Sequence, residues 1–189
     1  MIKNEVIYFN ELNNVTRNGY LIVDIEPDET EQQVFWLYIA RFNNQGIEQT
    51  HLNIANINCG ASAKKKLTML EILDLPHSQL QTPVDQHGKL LLNYLSSDFL
   101  ITQMPIFYFG SGRDEHILNN LIGGYNIENN FIDLQLSYDK MIGNDMPSGL
   151  EKVARSVGYE EMQHKVHNPI QDVEMTNYII KKYNILFGK

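Results

Sequence analysis

Tyr20-Leu21-Ile22-Val23-Asp24-Ile25-Glu26 is an apolar, β-rich run that ends in two carboxylates two residues apart. Aromatic and β-branched side chains in an unbroken block favour a buried strand. Strand side chains alternate, so Asp24 and Glu26 project from one face, where the apolar run gives way to polar residues. Two carboxylates on one face repel each other unless a cation lies between them, and the pair therefore suggests a metal site. The spacing alone says little, because acid-x-acid also occurs at Glu26/Asp28, Glu29/Glu31 and Asp172/Glu174, and most such pairs are solvated. What distinguishes Asp24 and Glu26 is Leu21-Ile22-Val23 in front of them, which makes this a core strand.

Outward from that strand, residues 34–42 form a second one, Asn43-Asn44-Gln45-Gly46 a turn, and 47–54 a third strand, giving an opening meander. Apolar residues at helical spacing predict helices over 63–75 and 88–98, joined by an irregular stretch around 76–86. A fourth strand over 104–109 is ended by Gly110-Ser111-Gly112, followed by a helix over 113–121 and a short strand over 131–134. A helix over 148–157 is stopped by Gly158. The last helix spans 168–183, with Asn168 as its N-cap and Pro169 at its first position. A meander followed by alternating helices and strands predicts an α/β fold, a mixed five-stranded sheet with helices on both faces.

The chain has 189 residues, 43% hydrophobic and 20% charged, as expected for one globular domain with a sizeable core. The longest apolar stretch, 34–40, is strand-sized, so no membrane span is expected. No signal peptide is legible in Met1-Ile2-Lys3-Asn4-Glu5-Val6. Cys59 is the only cysteine, which excludes an internal disulfide and a thiolate-rich zinc site and suits a reducing, cytoplasmic setting. The net charge of −8 counts against a module that holds nucleic acid by charge alone. It does not count against an enzyme that meets phosphate through bound divalent cations. Lys64, Lys65 and Lys66 read as a solvated first helical turn in preference to a phosphate contact.

Three further residues matter through their company. Asp114 opens the helix after the Gly-Ser-Gly turn, and Asp172 lies one turn into the last helix. Each, taken singly, is a carboxylate that offsets a helix macrodipole. His167 stands just before Asn168-Pro169, so His167 and Asp172 can approach one site from the same helix end. Together these residues resemble a family. Val23-Asp24-Ile25-Glu26 is similar to the first motif of the DEDDh (DnaQ-like) 3′-5′ exonucleases, and 108–118, carrying Asp114, is similar to the second. His167-Asn168-Pro169-Ile170-Gln171-Asp172 has the third motif's spacing. Phe131-Ile132-Asp133-Leu134 resembles the short strand after the second motif, and Leu150-Glu151-Lys152-Val153-Ala154 the helix before the third. The resemblance covers about residues 20–184.

The resemblance implies a ribonuclease H-like fold. It implies that Asp24, Glu26, Asp114 and Asp172 hold two Mg²⁺ or Mn²⁺ ions, with His167 as general base. It also implies stepwise release of nucleoside 5′-monophosphates from single-stranded DNA or RNA 3′ ends, or from short oligonucleotides. Two positions depart from the family pattern. Pro27 replaces the usual threonine after the first motif and has no backbone N–H to offer a terminal nucleotide. Phe109-Gly110-Ser111-Gly112-Arg113-Asp114 stands where the family has His-Asn-x-x-Phe-Asp. These departures favour an alternative, a catalytically degenerate binding or regulatory module; clustered carboxylates without a metal are costly, which argues against it. A zinc hydrolase using His164 and His167 lacks further ligand spacing, and the His-x4-Asp spacing favours an exonuclease over an endonuclease.

Overall fold

The computed structural model describes residues 7–30, 34–55, 60–66, 69, 100–101, 103–110, 112–121, 131–160 and 168–187. The helix expected over 88–98 lies outside them, and of the helix expected over 63–75 they include a helical stretch at 63–66. After a 3-10 turn, Phe9–Glu11, and a short helix α1, Leu12–Val15, come strands β1 (Tyr20–Pro27), β2 (Val34–Phe42) and β3 (Glu48–Ala55). Strand β4 (Ile106–Tyr108), helix α2 (Arg113–Leu121), strand β5 (Phe131–Asp133) and helices α3 (Leu134–Ile142), α4 (Leu150–Ser156) and α5 (Pro169–Phe187) follow.

The sheet order is β3-β2-β1-β4-β5, with β1 at the centre. β1 runs antiparallel to β2 and parallel to β4, and β4 runs parallel to β5. This is the mixed five-stranded α/β sheet expected from the sequence. Alternation along β1 divides the core in two. Leu21, Val23 and Ile25 face Leu118 of α2, together with Ile106, Tyr108 and Phe131. Tyr20 and Ile22 face Val173, Ile179 and Ile180 of α5, with Leu134, Val153 and Ala154 from α3 and α4. Helices therefore cover both faces, which explains why the run from Tyr20 to Val23 has no polar side.

Most element ends fall within two residues of the expected ones, the fourth strand being shorter at Ile106–Tyr108 and the helix expected over 148–157 running Leu150–Ser156; two differences are larger. The strand expected over 131–134 stops at Asp133, and Leu134 opens α3, a helix the sequence pattern had not suggested. The Asp133 carboxylate accepts a bond from the Leu136 N–H at 3.0 Å, and Gly143, at φ 67°, closes the other end. Cap and stop were both present in the sequence, but α3's apolar residues are interrupted by Gln135, Ser137 and Asp139, so periodicity did not show it. Helix α5 runs to Phe187, one turn beyond the expected end.

Candidate metal centre

β1 sets the site. Asp24 and Glu26 lie opposite Tyr38 and Trp36 of β2 and share the face of Tyr20 and Ile22, against which α5 packs. Strand β4 pairs with β1 only at Leu21 and Ile22, so the carboxylate end of β1 continues past it. This end, beyond the carboxyl termini of parallel strands, is where open α/β sheets present their ligand crevices.

α5 supplies the third carboxylate. Its start is fixed as the sequence suggested, with Asn168 accepting a bond from the Gln171 N–H at 3.4 Å and Pro169 beginning the helix. Its register against β1 is fixed by Asn177, whose Oδ1 accepts from the buried Tyr20 hydroxyl at 2.6 Å. The Asn177 side-chain amide donates to the Gly46 carbonyl at 3.1 Å. Asp172 thereby faces β1, and Asp24, Glu26 and Asp172 each offer a carboxylate oxygen within 4.8 Å of the others.

Asp114 is not in that group of three. It belongs to α2, on the opposite face of the sheet, and comes round the sheet end through a turn in which Gly112 takes φ 75°, a conformation open to glycine at little cost. It is 7% exposed and close enough to act on its neighbours electrostatically. Burial pushes its carboxyl up to about 7, against the lowering effect of Arg113, while Glu26, Asp172 and Asp133 add to the rise. Burial likewise raises Asp24 well above the usual carboxylate range, with Asp114, Asp172 and Glu26 raising it further and Arg113 opposing. His167 and His164 lie outside the described residues.

The donor set suits a hard divalent cation. All the donors are carboxylate oxygens, the ligand class of Mg²⁺ and Mn²⁺. Asp24 Oδ2 is buried without a hydrogen-bond partner among the described residues, an orphan that a cation would satisfy.

Comparison with solved structures agrees with the topology. Pop2p of S. pombe, in a form with Mg²⁺ and Mn²⁺ bound, superposes with a TM-score of 0.61 at 11% identity, covering 94% of this chain and 90% of that one. The RNase domain of yeast Pop2 gives 0.54 at 12% identity, covering 94% and 80%. The fold is ribonuclease H-like. No protein-family model matches the chain, and no curated protein sequence does. Among the described residues no helix is long and apolar enough to cross a membrane.

The sequence reading of Lys64, Lys65 and Lys66 as a solvated turn holds for Lys64, which is exposed, and fails for Lys65. Lys65 Nζ donates to the Pro27 carbonyl at 3.1 Å and lies 3.8 Å from Glu26 Oε2. Arg113, read only as a departure from the second motif, acts on both Asp24 and Asp114. Ser62 three residues before Lys65 was the available signal, since a serine cap orients the following turn. No local signal showed that this turn meets the end of β1.

Proposed function

We propose that this protein is a metal-dependent 3′-5′ exonuclease of the DEDDh kind, a single domain that removes nucleoside 5′-monophosphates from the 3′ ends of single-stranded DNA, RNA or short oligonucleotides. The convergence of Asp24, Glu26 and Asp172 within 4.8 Å, with Asp24 Oδ2 buried and unpartnered among the described residues, carries this reading. Its sequence likeness to that family and the metal-bound form of Pop2p support it.

In this reading Asp24, Glu26, Asp114 and Asp172 hold two divalent cations. When bound, such cations supply a nucleophile at neutral pH and neutralise charge on a phosphodiester. Asp24 and Asp172 bring strand and helix to one point, and Asp114 closes the site from the far face of the sheet. His167, five residues before Asp172, takes the proton of the attacking water; as a base and not a ligand it contributes ~10²–10⁴ in rate. A reducing cytoplasmic setting accords with the single cysteine.

With Mn²⁺, purified protein should shorten a 5′-labelled single strand stepwise from its 3′ end and leave a circular strand intact. Asp24→Asn should abolish this with the fold retained. His167→Ala should lower turnover steeply while Mn²⁺ affinity holds, and His164→Ala should be nearly silent. Cleavage of the circle would mean an endonuclease. The specific observation favouring a second reading is Pro27, which leaves no N–H at the end of the first motif. Tight Mn²⁺ binding with no shortening of any strand would support that reading, a binding module on an exonuclease fold.

A further inference from the structure

The carboxylate cluster has a cation at its edge that the proposed reaction does not use. Lys65 comes from the helical stretch at 63–66, and its side chain is 15% exposed. The segment that carries it is fastened in several places. Ala61 and Met69 pack on Phe35 and Trp36, and Trp36 is the register partner of Glu26. The Ser62 N–H donates to Glu29 Oε1 at 3.2 Å, and the Lys65 N–H donates to Ser62 Oγ at 3.4 Å. A flexible lysine would ordinarily sample solvent; this one is brought to the end of β1.

A contribution to stability accounts poorly for that placement. The Lys65 and Glu26 side chains are 15% and 11% exposed, and the desolvation of a buried pair offsets much of its attraction, so the pair by itself is weak evidence of a stabilising role. The chemistry of the ammonium fits a different role. It carries three donors: one goes to the Pro27 carbonyl, the Glu26 carboxylate lies beside it, and a further proton has no partner among the described residues. It also sits beside the residue that lacks an N–H. In the proposed site the charges of four carboxylates and two divalent cations cancel, so the negative charge of a bound phosphodiester is left to nearby basic groups, Arg113 on the Asp114 side and Lys65 beside Glu26 and Pro27.

We propose that Lys65 is a substrate-positioning residue that donates to a non-bridging oxygen of the phosphodiester held at the carboxylate cluster, supplying the donor that Pro27 cannot. The ligand class rests on the exonuclease reading; the placement of the ammonium does not. Fluorescence anisotropy of a 5′-labelled single-stranded oligonucleotide in Mn²⁺, read by rapid mixing before the strand is shortened, tests it, using wild type, Lys65→Met and Lys65→Arg. The probe is used in two forms, one with all phosphodiester linkages and one whose last linkage is a neutral methylphosphonate.

Lys65→Met should weaken binding of the first probe about tenfold or more, as expected for a charge-assisted bond, and Lys65→Arg should recover most of it. For the methylphosphonate probe Lys65→Met and wild type should bind alike, because the charge that Lys65 meets is gone. Mn²⁺ affinity should stay within about twofold of wild type, and in Mn²⁺, where bound cations still compensate the buried Glu26 carboxylate, the fall in Tm should be no more than a few degrees. Equal loss with both probes, unchanged binding, Mn²⁺ affinity that falls in parallel, or no strand binding by the wild type would each overturn the contact. Cleavage separates this proposal from the one it rests on. A wild type that shows this binding pattern yet never shortens the strand overturns the nuclease reading and keeps the Lys65 contact. A nuclease indifferent to Lys65→Met does the reverse.

Discussion

Asp114 carries the cost of the site most visibly. Its carboxyl is pushed from 3.8 up to about 7, burial being the largest cause. The sign follows from linkage. The folded chain holds this proton more tightly than the unfolded chain, so stability is lost as pH rises from about 4 to about 7. Asp114→Asn should therefore raise the Tm of metal-free protein at pH 7.5, by several degrees if ~1 kcal/mol corresponds to ~2–4 °C at this size. The gain should shrink toward pH 5 and disappear near pH 4, where the unfolded carboxyl is also protonated. Thermal melts in chelator across that range check it. A gain independent of pH would mean that the substitution acts through packing. In wild type, saturating Mn²⁺ should flatten the pH dependence, because cation binding displaces the same protons.

At the scale of elements, the site depends on how α5 lies against β1, and Asn177 is the clamp. It joins the buried Tyr20 hydroxyl of β1 and the Gly46 carbonyl of the β2–β3 turn to one helix. Asn177→Ala leaves that hydroxyl unsatisfied, which typically costs ~1–3 kcal/mol. It should also weaken Mn²⁺ binding, because Asp172 lies more than one turn away on the same rigid helix and loses its register with Asp24. Urea melts together with calorimetric Mn²⁺ titration check this; a stability loss with unchanged Mn²⁺ affinity would mean that Asp172 is held by other contacts. Much of this arrangement was legible in the chain. The run from Tyr20 to Glu26 announced a core strand with two carboxylates on one face, and Asn168-Pro169 marked the start of the helix that carries Asp172. Such signals are local, written in propensity and alternation. The Asn177 clamp was not legible, because Tyr20 and Asn177 are far apart in sequence and no local rule pairs them. Lys65 was misread for the same reason: whether a lysine is solvated depends on what its turn packs against, here Trp36 and the end of β1. Asp114 reads as part of the set in sequence, yet it reaches the site from the other face of the sheet and stands outside the tight group of three.

The whole molecule is acidic, with a net charge of −8, and this constrains how it can hold a polyanion. Long-range repulsion opposes a nucleic-acid strand, so attraction has to be local and supplied mainly by cations at the carboxylate cluster. Millimolar Mn²⁺ should raise Tm over chelator, by ~5–10 °C if the ion is near a hundred times its Kd. Strand binding should share that dependence and vanish in chelator at every ionic strength. The salt response gives the sharper measurement. Each phosphate neutralised by a lysine or arginine on a single strand contributes ~0.7 to the slope of log affinity against log salt. With Lys65 and Arg113 as the basic groups acting at the cluster among the described residues, a slope of roughly −1 to −2 is expected in Mn²⁺. A charge-driven binding module making six or more phosphate contacts would give about −4 or steeper. Anisotropy titrations of one oligonucleotide at fixed Mn²⁺ across a monovalent salt series give the number directly. A slope near −4, or binding that survives chelator, would move the contact off the metal centre to another basic surface. The recess lined by Arg17, Arg41 and Gln49, at the opposite end of β1, is the first place to look, and Arg41→Ala would then lower the slope while Lys65→Met would not.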